Sequence, residues 1–124
     1  MIVHVDTSAL VDALTGPRRS LDTLIAHTAA GHRLMLSSIA LYEWRRGPRT
    51  SEELAVQEEL FPSEAAVSFG PAEAVVAARL YGKVGRPRGR EIDLSVAACA
   101  LVAEAAIWTL NVKDFRDIPD LRLL

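Results

Sequence analysis

The sequence predicts an α/β fold, a three-layer α/β/α sandwich with a mostly parallel central sheet. Three observations support this. Short β-prone segments alternate with helical segments along the whole chain, a pattern typical of parallel strands joined by helical crossovers. The chain has 124 residues, which is the length of one domain. Half of these residues are hydrophobic, enough for an ordered core without disulfides. We therefore expect a single domain over residues 1–124.

The first part of the chain predicts two strands separated by two helices. Residues 2–6 are β-branched and partly alternating, as in a strand. Residues 9–14 predict a short helix, which Gly16-Pro17 ends. Residues 18–31 carry apolar side chains at three- and four-residue spacing, typical of an amphipathic helix. Residues 33–37 then predict a second strand.

The middle of the chain predicts three helices and one strand. Ser38 is expected to cap a helix that runs to Gly47. Another helix begins at residue 51 and is stopped by Pro62. Residues 65–69 predict a third strand. The helix that follows, 71–80, has a proline in its first turn, where proline is tolerated.

The last part of the chain begins with a loop rich in glycine and arginine over residues 82–90. Residues 91–105 predict an alanine-rich helix that is apolar on nearly every side and therefore buried. A fourth strand is expected over 106–109, a turn or short helix over 111–115, and a final short strand over 121–124.

Composition excludes several classes of protein. A single cysteine, Cys99, rules out a disulfide framework and a cysteine-based zinc site. We expect a cytoplasmic protein, because the N-terminus lacks a basic leader and no apolar run reaches the roughly 20 residues that span a bilayer. The formal net charge is −2, from 14 basic and 16 acidic residues. That balance gives no indication of a nucleic-acid partner, since many such proteins are basic.

Three polar residues follow predicted strands, at the edge where parallel sheets bind ligands. Asp6 ends the first strand, and Asn111 and Asp114 follow the fourth. Each also has a structural interpretation. Asp6 is equally suited to cap the next helix, and asparagine and aspartate are common in turns.

Two further acids lie on helices that face the core. Glu43 stands between Tyr42 and Trp44, and its structural alternative is an ion pair with Arg46 three residues on. Asp93 lies in the first turn of the apolar helix, where an acid suits the helix dipole. A buried carboxylate, however, needs a partner or a metal ion.

Jointly, these residues predict one acidic pocket. Several carboxylates in one pocket repel each other unless a cation neutralises them. Ligand sets made only of oxygen favour Mg²⁺ or Mn²⁺ over zinc. The chemistry that follows is metal-assisted attack of water on a phosphodiester.

Four motifs lie in order over nearly the whole chain: Val5-Asp-Thr-Ser-Ala-Leu10, Glu43-Trp-Arg-Arg-Gly47, Gly89-Arg-Glu-Ile-Asp-Leu-Ser-Val-Ala-Ala98 and Thr109-Leu-Asn-Val-Lys-Asp-Phe115. In these motifs the sequence resembles the PIN-domain ribonucleases, in particular the VapC toxins of toxin–antitoxin pairs. The resemblance implies an endoribonuclease specific for single-stranded RNA that needs Mg²⁺ or Mn²⁺. It also implies a homodimer and a cognate VapB-type antitoxin that inserts a segment into the acidic pocket.

Carried over to this sequence, the resemblance makes Asp6, Glu43 and Asp93 the core acids and the metal ligands. Asn111 stands where the family usually has a fourth acid, and it adds no negative charge. This leaves one firm metal site and puts a second one in doubt. Asp114 is the candidate to replace the missing charge. These five are the expected catalytic residues. The hydroxyls of Thr7 and Ser8 are expected to contact RNA phosphate or metal-bound water, as could Thr109.

Three arginines in the glycine-rich loop, Arg86, Arg88 and Arg90, are expected to bind the RNA backbone, because the guanidinium group matches phosphate geometry. The loop leads directly into Asp93, which favours this interpretation over a merely solvated loop. Two alternatives to a toxin stay open. One is a PIN-like module with weak or no activity, which binds an antitoxin and helps to regulate operator DNA. The other is a PIN-type nuclease of RNA processing without an antitoxin.

Overall fold

A computed structural model describes residues 1–124 and contains a three-stranded sheet in which all neighbours are parallel. The strands are β1 (Ile2–Val5), β2 (Arg33–Met35) and β3 (Ala106–Trp108), in the order β2-β1-β3. In β1, Val3 lies opposite Leu34 of β2 and Ala106 of β3. The predicted parallel sheet is confirmed, and its carboxyl edge holds the residues that follow β1 and β3.

Six α-helices cover the two faces of the sheet, and two single 3₁₀ turns occupy residues 63–65 and 112–114. No helix is both long and apolar enough to cross a membrane. The helices are α1 (Thr7–Leu14), α2 (Leu21–Ala29), α3 (Ser38–Arg46), α4 (Ser51–Leu60), α5 (Pro71–Lys83) and α6 (Glu91–Val102).

Two hydrophobic clusters hold the layers together. The first contains Val3 and Val5 of the sheet with side chains from α1, α2 and α3, including Trp44, which is fully buried. The second packs α5 and α6 on Ile107 and Phe115. Because successive strand residues point to opposite faces, β3 contributes Ala106 and Trp108 to the first cluster and Ile107 to the second. The three-layer α/β/α sandwich is therefore confirmed.

Three local predictions were wrong. Residues 65–69 form no strand, since Val67 makes only a single bridge to Ser37. The N-cap of α3 is Ser37 rather than Ser38, and its hydroxyl accepts from Ala40 N at 3.1 Å. The hydroxyl of Ser38 instead accepts from Phe69 N. The segment 121–124 is likewise reduced to one bridge, between Ile107 and Leu123.

One buried side chain of the sheet is polar and has no hydrogen-bond partner. His4 in β1 is 0% exposed, and neither of its ring nitrogens has a hydrogen-bond partner. Burial lowers the pKa of His4 below its usual value of 6.5, because the charged imidazolium is poorly solvated there. Just below pH 6.5, the ring therefore stays neutral in the folded protein, whereas in the unfolded chain it takes up a proton.

We expect His4→Leu to raise the free energy of unfolding by about 1–3 kcal/mol, because an unpaired buried polar group is removed. In the parent protein the unfolded chain gains a proton on His4 as pH falls below 6.5, so this residue lowers stability on the acid side. His4→Leu should lack this loss of stability in acid. Urea unfolding of both proteins at pH 7.5 and 5.5 measures the difference, and an equal or lower stability of His4→Leu at both values would contradict it.

Candidate active site

An acidic cavity of about 310 Å³ lies at the carboxyl ends of β1 and β3. It brings together three acids that are far apart in the sequence, Asp6, Glu43 and Asp93. A cavity of similar volume, about 300 Å³, lies between α5 and α6, but Glu91 is its only acid. The full lining of the acidic cavity is Asp6, Thr7, Ser8, Val11, Glu43, Asp93 and Asn111.

Asp6 is placed by the sheet itself. Its backbone N–H donates to the carbonyl of Trp108 at 2.9 Å, which joins the ends of β1 and β3. It occupies the N-cap position of α1, but its side chain makes no capping hydrogen bond. Its carboxylate, in a residue only 4% exposed, instead accepts hydrogen bonds on Oδ2 from Ser8 Oγ and Thr109 Oγ1, both at 2.8 Å. Both hydroxyls use the same oxygen, so Oδ1 has neither of them.

The two hydroxyls also hold the loop after β3. Ser8 Oγ and Thr109 Oγ1 are 3.2 Å apart, and they accept from the backbone N–H groups of Leu110 at 3.0 Å and Asn111 at 2.9 Å. Ser8 and Thr109 therefore join Asp6 to the loop that carries Asn111. From the sequence alone, these hydroxyls were expected to contact phosphate or metal-bound water. In the structure, both donate hydrogen bonds to Asp6.

Glu43 reaches the cavity from α3 and has two partners. Thr7 Oγ1 donates to Glu43 Oε1 at 2.9 Å, and Arg46 Nη2 lies 3.5 Å from Glu43 Oε2. Glu43 thus forms the ion pair with Arg46 that the sequence suggested, and it also lines the cavity. The Glu43 side chain is 19% exposed, so it faces both protein and solvent.

Asp93 has the most perturbed acid group in the cavity. Its pKa is raised from 3.8 to about 6, first by burial and then by the negative charges of Asp6, Asp114 and Glu43, against a lowering by Arg90. These acids therefore interact electrostatically, as in a pocket arranged to receive positive charge. Asp93 also lies in the first turn of α6, so its place at the helix N-terminus is compatible with both interpretations.

The two candidates after β3 differ in position. Asn111 lines the cavity and is exposed. Asp114 is not part of the lining, but it is close enough for its charge to raise the pKa of Asp93.

Within the basic loop, Arg90 is engaged by the protein. It forms hydrogen bonds to both carboxylate oxygens of Asp117, at 2.9 and 2.6 Å, and to the carbonyls of Gly85 and Asp114. This network ties the loop to the segment after β3. Arg86 and Arg88 are exposed, and neither guanidinium group has a hydrogen-bond partner in the protein. Of the three arginines, these two are therefore free to bind a ligand.

Two features of the site were missed from the sequence. Val11 lines the cavity, and its signal was helical spacing, since it lies one turn after Thr7 and Ser8 on α1. Arg46 was considered only as a charge partner of Glu43, but it also lies over the Tyr42 ring, and the signal was their four-residue spacing on one helix.

We expect Thr109→Val to lower the free energy of unfolding by about 1–3 kcal/mol, because Asp6 loses a donor and the Asn111 N–H loses its acceptor. Thr109→Ser keeps the hydroxyl and should recover most of the loss. Thr28→Val is the matched control, since the Thr28 hydroxyl donates only to the Leu24 carbonyl of its own helix. Urea denaturation of the four proteins tests this. Equal losses in Thr109→Val and Thr28→Val would contradict a special role for this hydroxyl.

Comparison with known proteins agrees with this geometry. The family model of the PIN domain matches residues 3–121. The chain is 32% identical to ribonuclease VapC19 of Mycobacterium tuberculosis over 124 residues, which covers 95% of each chain.

Solved structures share the fold. The structure of VapBC2 from Rickettsia felis, bound to a DNA fragment from their promoter, covers 100% of this chain and 98% of its own with a TM-score of 0.78 at 22% identity. VapBC-1 from nontypeable Haemophilus influenzae covers 100% of this chain and 97% of its own, with a TM-score of 0.71 at 25% identity. The chain therefore belongs to the PIN-domain family and, within it, to the VapC group.

Proposed function

We propose that this protein is a metal-dependent endoribonuclease toxin that hydrolyses RNA phosphodiester bonds at the acidic cavity. The observation that carries the proposal is the meeting of Asp6, Glu43 and Asp93 in one cavity, where burial and the other acids raise the pKa of Asp93 to about 6. Such coupling of acids is typical of sites that bind a cation. The similarity to a protein named ribonuclease VapC19 supports RNA as the substrate.

The donor set fits a hard divalent cation. Every charged group that lines the cavity is a carboxylate, and the remaining polar donors are hydroxyls and an amide, which favours Mg²⁺ or Mn²⁺. No three histidine, cysteine, aspartate or glutamate side chains are close enough to coordinate one ion directly. Like charges keep apart without a counter-charge, and Mg²⁺ commonly retains several waters, so a site of one or two direct carboxylates is sufficient. Of Asp6, Glu43 and Asp93, one or two would bind the ion directly and the others through its water molecules.

The bound ion would lower the pKa of a water molecule and polarise the scissile phosphate. The side chains contribute position and proton transfer. Ser8 and Thr109 fix Asp6 through Oδ2, and Thr7 fixes Glu43 through Oε1. Asp6 or Asp93 would orient the attacking water or accept its proton.

The remaining polar groups are assigned to the substrate. Asn111, on the exposed side of the cavity, would orient water or the strand without adding negative charge, and Asp114 would act through its field on Asp93. Thr7 and Ser8 line the cavity and would meet the RNA there, in addition to holding the acids. Arg86 and Arg88 would bind the backbone, whereas Arg90 would hold their loop in place through Asp117.

A VapB-type antitoxin and a second copy of the chain are the proposed partners, in the cytoplasm. The solved VapBC structures support the antitoxin, because they are complexes of such pairs. Large apolar side chains that remain exposed give both partners surface to bury; they include Ile25, Leu60 and Val75.

RNA cleavage by the purified, antitoxin-free protein tests the proposal. Single-stranded and structured RNAs are incubated with Mg²⁺, Mn²⁺ or EDTA, beside Asp6→Asn and the control Asp22→Asn, which changes an exposed acid of α2. We expect cleavage that needs the cation, is lost in Asp6→Asn and is kept in Asp22→Asn. Cleavage that persists in EDTA would contradict the requirement for a divalent cation. No cleavage of any RNA would favour the alternative, a module that acts by binding an antitoxin and operator DNA.

A further inference from the structure

Three consecutive residues of α3 point in three different directions. Trp44 is fully buried, Glu43 is partly buried in the cavity wall, and Tyr42 is 59% exposed. An exposed aromatic ring thus stands directly beside a wall of the acidic cavity. The Tyr42 ring is not part of the first hydrophobic cluster, to which α3 contributes Ala40, Trp44 and the partly buried Leu41.

Arg46 links this ring to the cavity. Its guanidinium carbon lies 5.3 Å from the centroid of the Tyr42 ring, and its Nη2 lies 3.5 Å from Glu43 Oε2. The Arg46 side chain is 54% exposed, so a cation and an aromatic face are both open to solvent at the cavity rim. A second pair of this kind, Arg49 over Trp44 at 4.2 Å, serves the interior instead, since Trp44 is fully buried.

We propose that Tyr42 and Arg46 form a subsite for single-stranded RNA beside the acidic cavity, in which Tyr42 stacks on a base and Arg46 binds a phosphate. This inference rests on the proposed ribonuclease function. Unpaired bases stack on exposed aromatic side chains in a manner that tolerates sequence. The backbone of the strand must also approach several carboxylates, and a cation at the rim reduces that repulsion.

The position of Tyr42 favours RNA over a protein partner. Arg46 lies over the ring and contacts Glu43, whereas the neighbouring Arg45 pairs with Glu58. Tyrosine and arginine are enriched in protein interfaces as well, so the distinction comes from where this pair lies. An aromatic ring and a cation next to the proposed cleavage site match a single strand, which offers a base and a phosphate at each step.

The test measures RNA binding and cleavage separately. Anisotropy of a fluorescent single-stranded RNA gives Kd in an Asp93→Asn background, where the strand is expected to stay intact, and cleavage with Mn²⁺ in the parent background gives kcat and KM. The variants are Tyr42→Leu, Tyr42→Phe and Arg46→Gln. The matched controls are Tyr81→Leu, an exposed tyrosine of α5, and Arg79→Gln, an exposed arginine of the same helix.

Tyr42→Leu should weaken RNA binding roughly tenfold, the effect of losing one stacked base, and the loss should appear in KM more than in kcat. Tyr42→Phe keeps the ring and should recover most of the affinity. Arg46→Gln should weaken binding and lower the dependence of log Kd on log salt by about one phosphate contact. Both controls should match the parent, and the unfolding midpoints should be unchanged, because these side chains are exposed.

The outcomes separate the subsite from the function on which it rests. If the parent protein cleaves RNA while Tyr42→Leu and Arg46→Gln bind and cleave as the parent does, the subsite is wrong and the ribonuclease stands. If those variants change only the oligomeric state in light scattering, the surface is a protein interface and the subsite is again wrong. If the parent neither binds nor cleaves RNA, both proposals fail.

Discussion

Replacing Asp93 by asparagine is expected to reduce RNA cleavage on the order of a thousandfold, the usual cost of removing one preorganised charged group from an active site. The same change should make the protein more stable at neutral pH when no divalent cation is present. The two effects have one cause, since the Asp93 carboxylate is placed where negative charge is unfavourable unless a cation is bound. An asparagine at this position would keep the shape of the side chain and remove its charge.

The pH dependence of the gain in stability has a definite sign. The pKa of Asp93 is about 6 in the folded protein and 3.8 in the unfolded chain. Between these values the folded protein holds the proton more tightly, so raising the pH through this window favours the unfolded chain. Between pH 4 and pH 7 the free energy of unfolding of the parent protein should therefore fall by about 1–3 kcal/mol relative to that of Asp93→Asn.

Urea unfolding in EDTA at pH 4, 5, 6 and 7 measures this difference. Comparing the two proteins at each pH removes the contribution of His4, which has the opposite sign and is common to both. Asp22→Asn controls for the loss of one negative charge at an exposed position. A constant difference between Asp93→Asn and the parent across this range would show that neither burial nor the neighbouring acids disfavour the charged form of Asp93.

Truncating Trp44 to alanine is expected to lower the free energy of unfolding by about 3–5 kcal/mol, the cost of emptying a large buried site. Trp44 is 0% exposed in the cluster that joins α3 to α1 and the sheet. Because Glu43 precedes it on α3, looser packing of this helix should also displace Glu43 from Thr7. Cleavage should therefore fall by more than the unfolded fraction explains.

Trp44→Phe is the milder companion, in case the alanine variant does not fold. It keeps an aromatic ring in the cluster and should cost less than half as much stability. Urea denaturation, together with cleavage corrected for the folded fraction, gives both quantities for each variant. If Trp44→Phe loses stability but cleaves RNA normally, the packing of α3 does not set the position of Glu43.

Much of the fold was predictable because hydrophobic periodicity reports local structure. The helices at 51–60 and 71–83 begin where Thr50 caps and Pro71 favours a first turn, and both signals are local. The error at 65–69 has a different origin. A short apolar segment becomes a strand only if a neighbouring strand has a free edge of matching length, and here one bridge at Val67 is all that forms. Sequence periodicity carries no information about that match.

The meeting of Asp6 and Asn111 at one edge of the sheet was predictable for a topological reason. Asp6 and Asn111 lie just beyond β1 and β3, and parallel strands bring their carboxyl ends to one edge. The directions of the hydroxyls were not predictable, since both Ser8 and Thr109 could equally have faced the cavity. Their common acceptor, Asp6 Oδ2, depends on packing across 101 residues of sequence. The pairing of Arg90 with Asp117 is likewise a tertiary contact.

Binding of Mn²⁺, followed by electron paramagnetic resonance of the free ion, tests the central claim most directly. The parent protein should bind at least one Mn²⁺ per chain, and Asp6→Asn and Asp93→Asn should each weaken that binding by about tenfold or more, since even the loss of an outer-shell partner costs roughly 10–100-fold in metal affinity. Asp22→Asn should bind as the parent does. Equal Mn²⁺ affinity in all four proteins would contradict a cation site formed by Asp6, Glu43 and Asp93.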